Sequence, residues 1–332
     1  MSKYLEENDH VDIEANKQRE SPILYSGISP VKTLYPVIKL DEPATCAPWL
    51  DVNCHGVVIK AQHLLSKNGK KTNKLFDQIT KSGGIHNFIE YQGIVILSSI
   101  MPDYMLSHFS PEAYADMIEA LSPNSYITPD GETYLGEYAR SSREIDRMIG
   151  ESERIIRLCP EYFPIGLVKG CTCHQNTAHT DALLNLGISQ FTFHASDYLR
   201  RGPFWVRDRA IHFAQIIREK VPSFLIYGVG SMSSLKAFNF ADGYITQSHF
   251  VNAYYGRKNC KNIDPLSNQK TTRNEIMDIL RKVRNDADKV IDSRHSQKNL
   301  GYYCDLFGTG YDCIIKKVLI NSFEASSQNQ VM

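Results

Sequence analysis

Four polar or flexible residues directly follow short apolar runs of the chain, and these are the positions where chemistry is most readily placed. They are Asp130, the neighbouring Lys169 and Gly170, and His194. A carboxylate accepts hydrogen bonds, an ammonium group donates them, and an imidazole ring can do either. Asp130 therefore suits the N–H groups of a ligand, and Lys169 suits a carbonyl oxygen or a phosphate.

The elements that must position these residues are read from the alternation of apolar runs with amphipathic segments, which repeats about eight times. Such alternation predicts parallel strands with right-handed helical crossovers. Eight repeats favour a closed (β/α)8 TIM barrel, in which the loops after the strands carry the active site. An open, doubly wound sheet is the alternative, and it would also place ligands at the strand carboxyl ends. The predicted strands are Pro22–Tyr25, Val57–Lys60, Ile94–Leu97, Ser125–Thr128, Ile165–Val168, Gln190–Phe193, Phe224–Tyr227 and Gly243–Thr246.

Helical periodicity fills most of the intervals between these strands. The clearest helix is Pro111–Leu121, with Pro at its first position and Ser110 as its N-cap. The C-terminal part predicts further helices over Thr272–Ile291 and Tyr302–Leu319. The chain is thus divided into a polar N-terminal extension (1–20), a barrel (21–258), a C-terminal helical extension (259–321) and a polar tail (322–332).

The bulk composition excludes several classes of protein. The 332 residues carry no net formal charge, so no global field attracts nucleic acid. No apolar run is long enough to cross a membrane, and the N-terminus has no signal-peptide design, which predicts a cytoplasmic protein with reduced thiols. The one tight cysteine cluster, Cys171 and Cys173 beside His174, lacks the spacing of a four-ligand zinc site. We therefore expect no cofactor, and a structural zinc has no clear motif.

Four groups of motifs, in order over about residues 55–258, resemble the tRNA-guanine transglycosylase superfamily, and most closely its 7-deazaguanine DNA transglycosylases. The first group is His63–Leu65, Ser82–Ile89 and Gly93–Ser99; the second is Phe109–Glu112 and Pro129–Glu132; the third is Ile165–Gly170 and Asp181–Gly187; the fourth is Tyr227–Gly230, Asp242 and Gly256–Arg257.

The resemblance implies an enzyme that replaces guanine in a nucleic acid with a 7-deazaguanine base. In the family a carboxylate attacks the anomeric carbon of the sugar and expels the base, and the incoming base then displaces the enzyme. This chemistry parallels that of retaining glycosidases, which also pass through a covalent sugar–carboxylate intermediate. The target nucleotide must leave its stack, which calls for a deep polar pocket.

The resemblance also implies roles for individual carboxylates. Asp130 matches the residue that reads the guanine edge, although a turn Asp is the ordinary alternative. Asp242 lies near the nucleophile position, and Ile245 and Thr246 stand where a second family carboxylate would fall. Asp130 and Asp242 are then expected to share one cavity.

Further positions of the resemblance depart from the family or extend it. Ser99 replaces a carboxylate that assists base exchange and is expected to contact the substrate, and Asp103 is expected to substitute for that carboxylate from a displaced position. Lys169 and Gly170 take the place of a base-contacting Gln-Gly pair, and His194 would line the pocket. Four basic residues beyond barrel strands would bind nucleic acid, with solvation as their ordinary alternative: Arg200, Arg201, Arg257 and Lys258.

The sequence leaves several hypotheses about function open. DNA is favoured over tRNA because the C-terminal zinc motif of tRNA-acting members is not visible, with a 7-deazaguanine base as second substrate. A non-catalytic base-binding or nucleic-acid-binding subunit is the alternative, since two family carboxylates are replaced. A homodimer or a partner subunit is compatible with either. A sugar-phosphate barrel enzyme is a third reading, with Gly228–Ser231 as its phosphate loop.

Overall fold

The computed structural model describes residues 34–40, 55–200, 204–230 and 232–246. Within them eight strands pair in sequence order, all in parallel, and the first pairs with the last to close a barrel. The strands are β1 (Leu34–Ile38), β2 (Gly56–Lys60), β3 (Ile94–Ser98), β4 (Ser125–Ile127), β5 (Phe163–Val168), β6 (Gln190–His194), β7 (Ser223–Tyr227) and β8 (Gly243–Thr246). The predicted (β/α)8 barrel is confirmed.

Helices follow the strands in the intervals where periodicity predicts them. They are α1 (Lys74–Lys81), α2 (Ile85–Ile89), α3 (Asp103–Leu106), α4 (Pro111–Leu121), α5 (Tyr138–Leu158), α6 (Cys173–Asn185), α7 (Ser196–Arg200), α8 (Phe204–Lys220) and α9 (Met232–Ala237), with a 3-10 turn at Ala61–Leu64. None of the helices in the described ranges is long and apolar enough to cross a membrane.

Local sequence explains where α4 begins and ends. Ser110 is extended, and its side chain accepts the backbone N–H of Ala113, as expected of an N-cap. Pro111 occupies the first helical position, where a missing N–H costs nothing. Ser122 ends the helix in the left-handed conformation, at φ 51°. The predicted helix and its cap are confirmed.

Each strand sends alternate side chains to the barrel interior and to the helix layer. Val37 and Val58 belong to the interior cluster, whereas their neighbours Ile38 and Ile59 pack in the cluster under the helices. The pairing of Val37 with Val58 and of Ile38 with Ile59 keeps this alternation in register. The direction of side chains at the strand ends follows from the same alternation.

Among the described strands, the first is the one whose position the sequence prediction missed. The predicted strand Pro22–Tyr25 lies outside the described residues, and Leu34–Ile38 is the strand that closes the barrel. Its run contains Pro36, which made it a poor strand candidate because Pro cannot donate to a ladder. The C-terminal helices predicted at Thr272–Ile291 and Tyr302–Leu319 also lie outside the described residues.

Candidate functional site

Polar side chains gather at the carboxyl ends of the strands, which in (β/α)8 enzymes is the functional face. Strand alternation directs six of them to the interior, and Asp130 from the loop after β4 joins them. We call this set the mouth site: Lys39, Lys60, Ser98, Asp130, Lys169, His194 and Tyr227. The structure therefore brings together three of the predicted site residues: Asp130, Lys169 and His194.

An ion pair between Asp130 and Lys169 is the most strongly defined feature of the mouth site. The Lys169 Nζ donates to Asp130 Oδ1 at 2.7 Å and to the carbonyl oxygen of Gly131 at 2.7 Å. The side chain of Asp130 is 3% exposed and that of Lys169 is 15% exposed. Because both charges are largely withdrawn from water, the cost of desolvation must be offset by their close ionic contact together with the additional hydrogen bonds that each group makes.

Within the described part of the chain, this ion pair leaves one carboxylate oxygen of Asp130 and one N–H of the Lys169 ammonium group unused, and the two lie beside each other. Asp130 Oδ1 also accepts the N–H of Gly131 at 2.8 Å, while among the described residues Asp130 Oδ2 accepts no hydrogen bond. An ammonium group has three donors, and Lys169 uses two of them on Asp130 and Gly131. A ligand that offers a donor next to an acceptor would complete both groups.

Side chains outside the loop that carries Asp130 hold this loop in place through hydrogen bonds to its backbone carbonyl oxygens. Arg147 on α5 donates to the carbonyl oxygen of Asp130 at 2.9 Å and forms ion pairs with Glu144 and Glu151. Burial raises the pKa of Glu151, although Arg147 acts against that shift. Ser99 donates to the carbonyl oxygen of Thr128 at 2.7 Å, so its hydroxyl joins the ends of β3 and β4.

Tyr227 and His194 line the side of the mouth formed by β6 and β7. Burial raises the pKa of the Tyr227 hydroxyl well above its ordinary value, the charge of Asp130 adds to the rise, and Ser98 partly offsets it. The Tyr227 ring meets the His194 ring edge-on, with centroids 5.3 Å apart. Tyr227 therefore stays protonated at neutral pH and offers a neutral hydroxyl next to the Asp130 carboxylate.

His179 on α6 holds the backbone from which Lys169 projects. Its Nδ1 lies 3.0 Å from the carbonyl oxygen of Lys169 and 3.3 Å from the N–H of the same residue. Burial lowers the pKa of His179 from 6.5 to about 4, and the nearby positive charge of Lys169 contributes to the shift. The ring is neutral at pH 7 and serves as a support for Lys169.

Asp242 lies at the opposite end of the barrel, so the expectation that it shares a cavity with Asp130 is wrong. It directly precedes β8, whereas Asp130 follows β4. Its Oδ2 accepts the N–H of Phe224 at 2.9 Å, and its Oδ1 lies 3.5 Å from the Arg218 guanidinium. A residue that comes directly before a strand lies at the amino-terminal face of the barrel, away from the mouth.

The position where the sequence resemblance implies a second carboxylate holds no acid in this chain. Ile245 packs in the interior cluster of the barrel, and Thr246 is the buried last residue of β8. Asp103 begins α3 after β3 and accepts a hydrogen bond from Tyr134 in the loop after β4. Asp103 is exposed, so it stands at the rim of the functional face rather than inside the mouth.

The remaining predicted residues have mixed outcomes. The carbonyl oxygen of Gly170 accepts hydrogen bonds from Asn176 at 3.1 Å and from Tyr198 at 3.4 Å, so it is engaged within the protein. Arg200 ends α7, after β6, on the functional face. Arg201, Arg257 and Lys258 lie outside the described residues.

No metal centre is built by the described residues. They contain no group of three or more His, Cys, Asp or Glu side chains placed to hold an ion. The Cys171 thiol instead donates to the Gln175 amide oxygen at 3.0 Å, and that oxygen also accepts the N–H of Cys171 at 2.9 Å. Cys171 is thus part of the turn into α6.

Sequence reasoning missed four members of the mouth site as ligand-binding residues: Lys39, Lys60, Ser98 and Tyr227. The signal that could have found three of them is simple, because Lys60, Ser98 and Tyr227 are each the last residue of a strand. Lys39 follows β1, and its strand was misplaced.

Fold and site together define a (β/α)8 barrel with a cluster of charged and polar side chains at its carboxyl-terminal mouth. Comparison with known proteins adds no family to this description: no protein-family model matches the chain, and no curated protein matches it.

Proposed function

We propose that this barrel binds a guanine-type base at its mouth, as the base-recognition domain of a nucleic-acid transglycosylase. The observation that carries the proposal is the Asp130–Lys169 pair, in which the described residues leave one carboxylate oxygen and one ammonium donor unused, side by side. DNA is the proposed source of the base, and a 7-deazaguanine the proposed replacement, with tRNA as the alternative substrate.

The chemistry of the pair matches the edge of guanine. Guanine and 7-deazaguanine present an N1–H donor next to a C6 carbonyl acceptor. Asp130 Oδ2 would accept the N1–H, and the third Lys169 donor would reach the carbonyl. Both hydrogen bonds involve a charged partner, which makes them stronger than neutral ones. Adenine presents its two groups in the reverse order and would have to bind turned over.

Calorimetric titration of the full chain with guanine and with 7-deazaguanine tests this proposal. We expect Asp130→Asn and Lys169→Met each to weaken binding by about tenfold or more, because each removes a charge-assisted hydrogen bond. Asp181→Asn and Lys220→Met are the matched controls, since that Lys–Asp pair has a similar contact, at 2.6 Å, but is exposed on the outside of the barrel. Binding that is equally weakened by both pairs of variants, or adenine binding as tight as guanine, would overturn the proposal.

Base exchange through a covalent intermediate is the second candidate function, and the position of Asp103 favours it. Within the described ranges Asp103 is a carboxylate on the functional face that Tyr134 ties to the loop of Asp130. Asp103 would then attack the anomeric carbon of the sugar, and the base would leave with the bonding electron pair.

Incubation of the protein with guanine-containing DNA or tRNA and a 7-deazaguanine base tests the exchange. Mass spectrometry would detect the new base in one nucleic acid and a covalent protein–nucleic acid adduct. We expect Asp103→Asn to abolish the adduct while base binding persists. Base binding without adduct or exchange in either nucleic acid would favour the binding subunit over the enzyme.

A further inference from the structure

Tyr227 carries a buried hydroxyl group at the mouth that its surroundings do not satisfy. It is the last residue of β7. Its side chain belongs, with that of Leu225, to the interior cluster of the barrel, whereas Phe224 and Ile226 pack under the helices. Within the part of the chain that the structure describes, the buried hydroxyl oxygen makes no well-directed hydrogen bond. A buried polar group without a partner carries the full penalty of losing water, so a ligand or a water molecule is needed to complete it.

The neighbours of Tyr227 fix its ring and place its oxygen near the base-reading carboxylate. Tyr227 is 3% exposed, its ring meets the His194 ring edge-on, and the register of β6 and β7 pairs the two residues. The hydroxyl lies close enough to Asp130 for the carboxylate charge to raise its pKa, and close enough to Ser98 for that side chain to lower it. The unsatisfied hydroxyl is therefore part of the same small region as Asp130 and Ser98.

Ser98 can decide which way the Tyr227 hydroxyl points. The Ser98 Oγ accepts the N–H of Ile100 at 3.3 Å, and a hydroxyl oxygen has two lone pairs, so one lone pair is left for a second donor. A Tyr227 hydroxyl that turns its one proton toward Ser98 presents only its oxygen lone pairs to the mouth. The mouth then holds a neutral acceptor beside the Asp130 carboxylate.

The strand order places Ser98 and Lys169 on opposite sides of Asp130. In the closed barrel β3 and β5 are the two neighbours of β4; Ser98 ends β3, and Lys169 directly follows β5. In guanine the C6 carbonyl and the C2 amino group lie on opposite sides of the N1–H. With Lys169 on the carbonyl and Asp130 on the N1–H, the amino group is directed to the side of Ser98, which the Tyr227 hydroxyl approaches.

We propose that Tyr227 is a specificity-determining residue that accepts a hydrogen bond from the C2 amino group of the bound base, with Ser98 as the residue that positions its hydroxyl. The site then selects guanine-type bases over hypoxanthine, which has the same C6 carbonyl and N1–H but lacks the amino group. A site that is built to bond a polar group rejects an analogue without it, because the buried partner is left unpaired. The inference rests on the proposed function for the placement of the base.

Calorimetric titration of the full chain with guanine and with hypoxanthine tests the proposal. We expect the wild-type protein to bind guanine about tenfold or more tightly than hypoxanthine. Tyr227→Phe should lower the affinity for guanine to about that for hypoxanthine and leave the affinity for hypoxanthine unchanged. Tyr35→Phe is the matched control, because Tyr35 is a buried tyrosine of the same interior cluster near the amino-terminal end of β1. This control should keep the full preference for guanine.

Ser98→Ala tests the positioning role of Ser98. The variant removes the acceptor that orients the Tyr227 hydroxyl, so the preference for guanine should shrink by a smaller factor than in Tyr227→Phe, with hypoxanthine binding unchanged. A full preference for guanine in Ser98→Ala, together with a lost preference in Tyr227→Phe, would show that Tyr227 reads the amino group without help from Ser98.

The pattern of affinities separates this inference from the proposed function. Asp130→Asn should weaken guanine and hypoxanthine alike, since both bases carry the N1–H and the C6 carbonyl. Binding of both bases that depends on Asp130 but shows no preference for guanine would refute the role of Tyr227 and leave the base site standing. Equal weakening of both bases in Tyr227→Phe would also refute it, because the hydroxyl would then support the site rather than read the amino group. If neither base binds, the base site and the role of Tyr227 fail together.

Thermal unfolding checks that the effect of Tyr227→Phe is not a folding defect. Phenylalanine keeps the ring that packs against His194 and removes only the unsatisfied oxygen. The variant without ligand should therefore unfold at the same or a higher temperature, while its stabilisation by guanine should fall to that given by hypoxanthine. A much lower unfolding temperature without ligand, together with an unchanged preference for guanine, would show that the hydroxyl serves the fold instead.

Discussion

The two ends of this barrel each bury an aspartate, and the two carboxylates are used in different ways. At the amino-terminal end, Asp242 binds the N–H of Phe224 with one oxygen and faces Arg218 with the other. At the mouth, Asp130 is bound through Oδ1 by Lys169 and by the N–H of Gly131. Among the described residues no group donates to its Oδ2, so this oxygen is available to a ligand. Burial of a carboxylate alone is therefore no sign of function; the open hydrogen-bonding capacity is.

The largest expected effect on stability comes from Asp242 and tests its structural role at the amino-terminal end of the barrel. Asp242→Ala leaves the N–H of Phe224 unsatisfied inside the protein and removes the acidic partner of Arg218, which keeps its hydrogen bonds to backbone carbonyl oxygens. We expect a loss of about 2–3 kcal/mol in the free energy of unfolding, measured by urea denaturation. Asp242→Asn keeps an acceptor oxygen and should cost less. If Asp242→Ala abolished guanine binding in a protein of unchanged stability, the contrast between the two ends would be wrong.

The Asp130–Lys169 ion pair is tested by removing one of its two charges and then both. Asp130→Leu leaves the buried Lys169 ammonium without its partner, which we expect to cost about 2 kcal/mol or more of stability. Asp130→Leu combined with Lys169→Met removes both charges and should recover much of that loss. Urea denaturation of the three proteins measures the difference. Equal losses in the single and double variants would show that the two charges do not interact.

A pH-dependent contribution to stability is expected on the mouth side from His179. The buried ring has a pKa of about 4 in the folded protein and an ordinary value of 6.5. Below pH 6.5 the unfolded chain takes up a proton that the folded protein excludes, so stability is present above pH 6.5 and is lost as the pH falls toward 4. Between pH 7 and pH 5 this amounts to roughly 2 kcal/mol.

Comparison with a variant isolates that contribution. In His179→Gln the difference between the free energies of unfolding at pH 7 and pH 5 should be smaller than in the wild-type protein. Glutamine does not titrate but can still form a hydrogen bond to the backbone of Lys169. The variant is expected to lose less stability on acidification than the wild-type protein does. An identical pH dependence in both proteins would assign the acid sensitivity to other groups.

The fold could be predicted because the alternation of short apolar runs with amphipathic segments is repeated along the chain. Part of the mouth site could be predicted for the same reason, since some of its residues directly follow those apolar runs. Seven of the eight strands were placed from short apolar runs, and Asp130, Lys169 and His194 follow from their position after three of them. The strand β1 was missed because its five residues include Pro36. Lys39, which directly follows this strand, was missed for the same reason.

The error over Asp242 has a different physical origin. A motif match fixes position along the chain, but the face of the barrel depends on which end of a strand the residue occupies. Asp242 stands one residue before β8, so four strand residues separate it from the mouth. The Asp130–Lys169 contact was also beyond sequence reasoning, because it joins loops 39 residues apart.

The smallest expected effect concerns Ser99, which stands where the family resemblance implies a catalytic carboxylate. Its hydroxyl is buried and donates to the carbonyl oxygen of Thr128, so it links the ends of β3 and β4. Ser99→Ala should cost about 1 kcal/mol of stability through the lost hydrogen bond, with guanine affinity unchanged. Urea denaturation and calorimetric titration measure the two quantities. If Ser99→Ala weakened the affinity for guanine without lowering stability, the Ser99 hydroxyl would contact the ligand directly rather than support the strand ends that carry the mouth site.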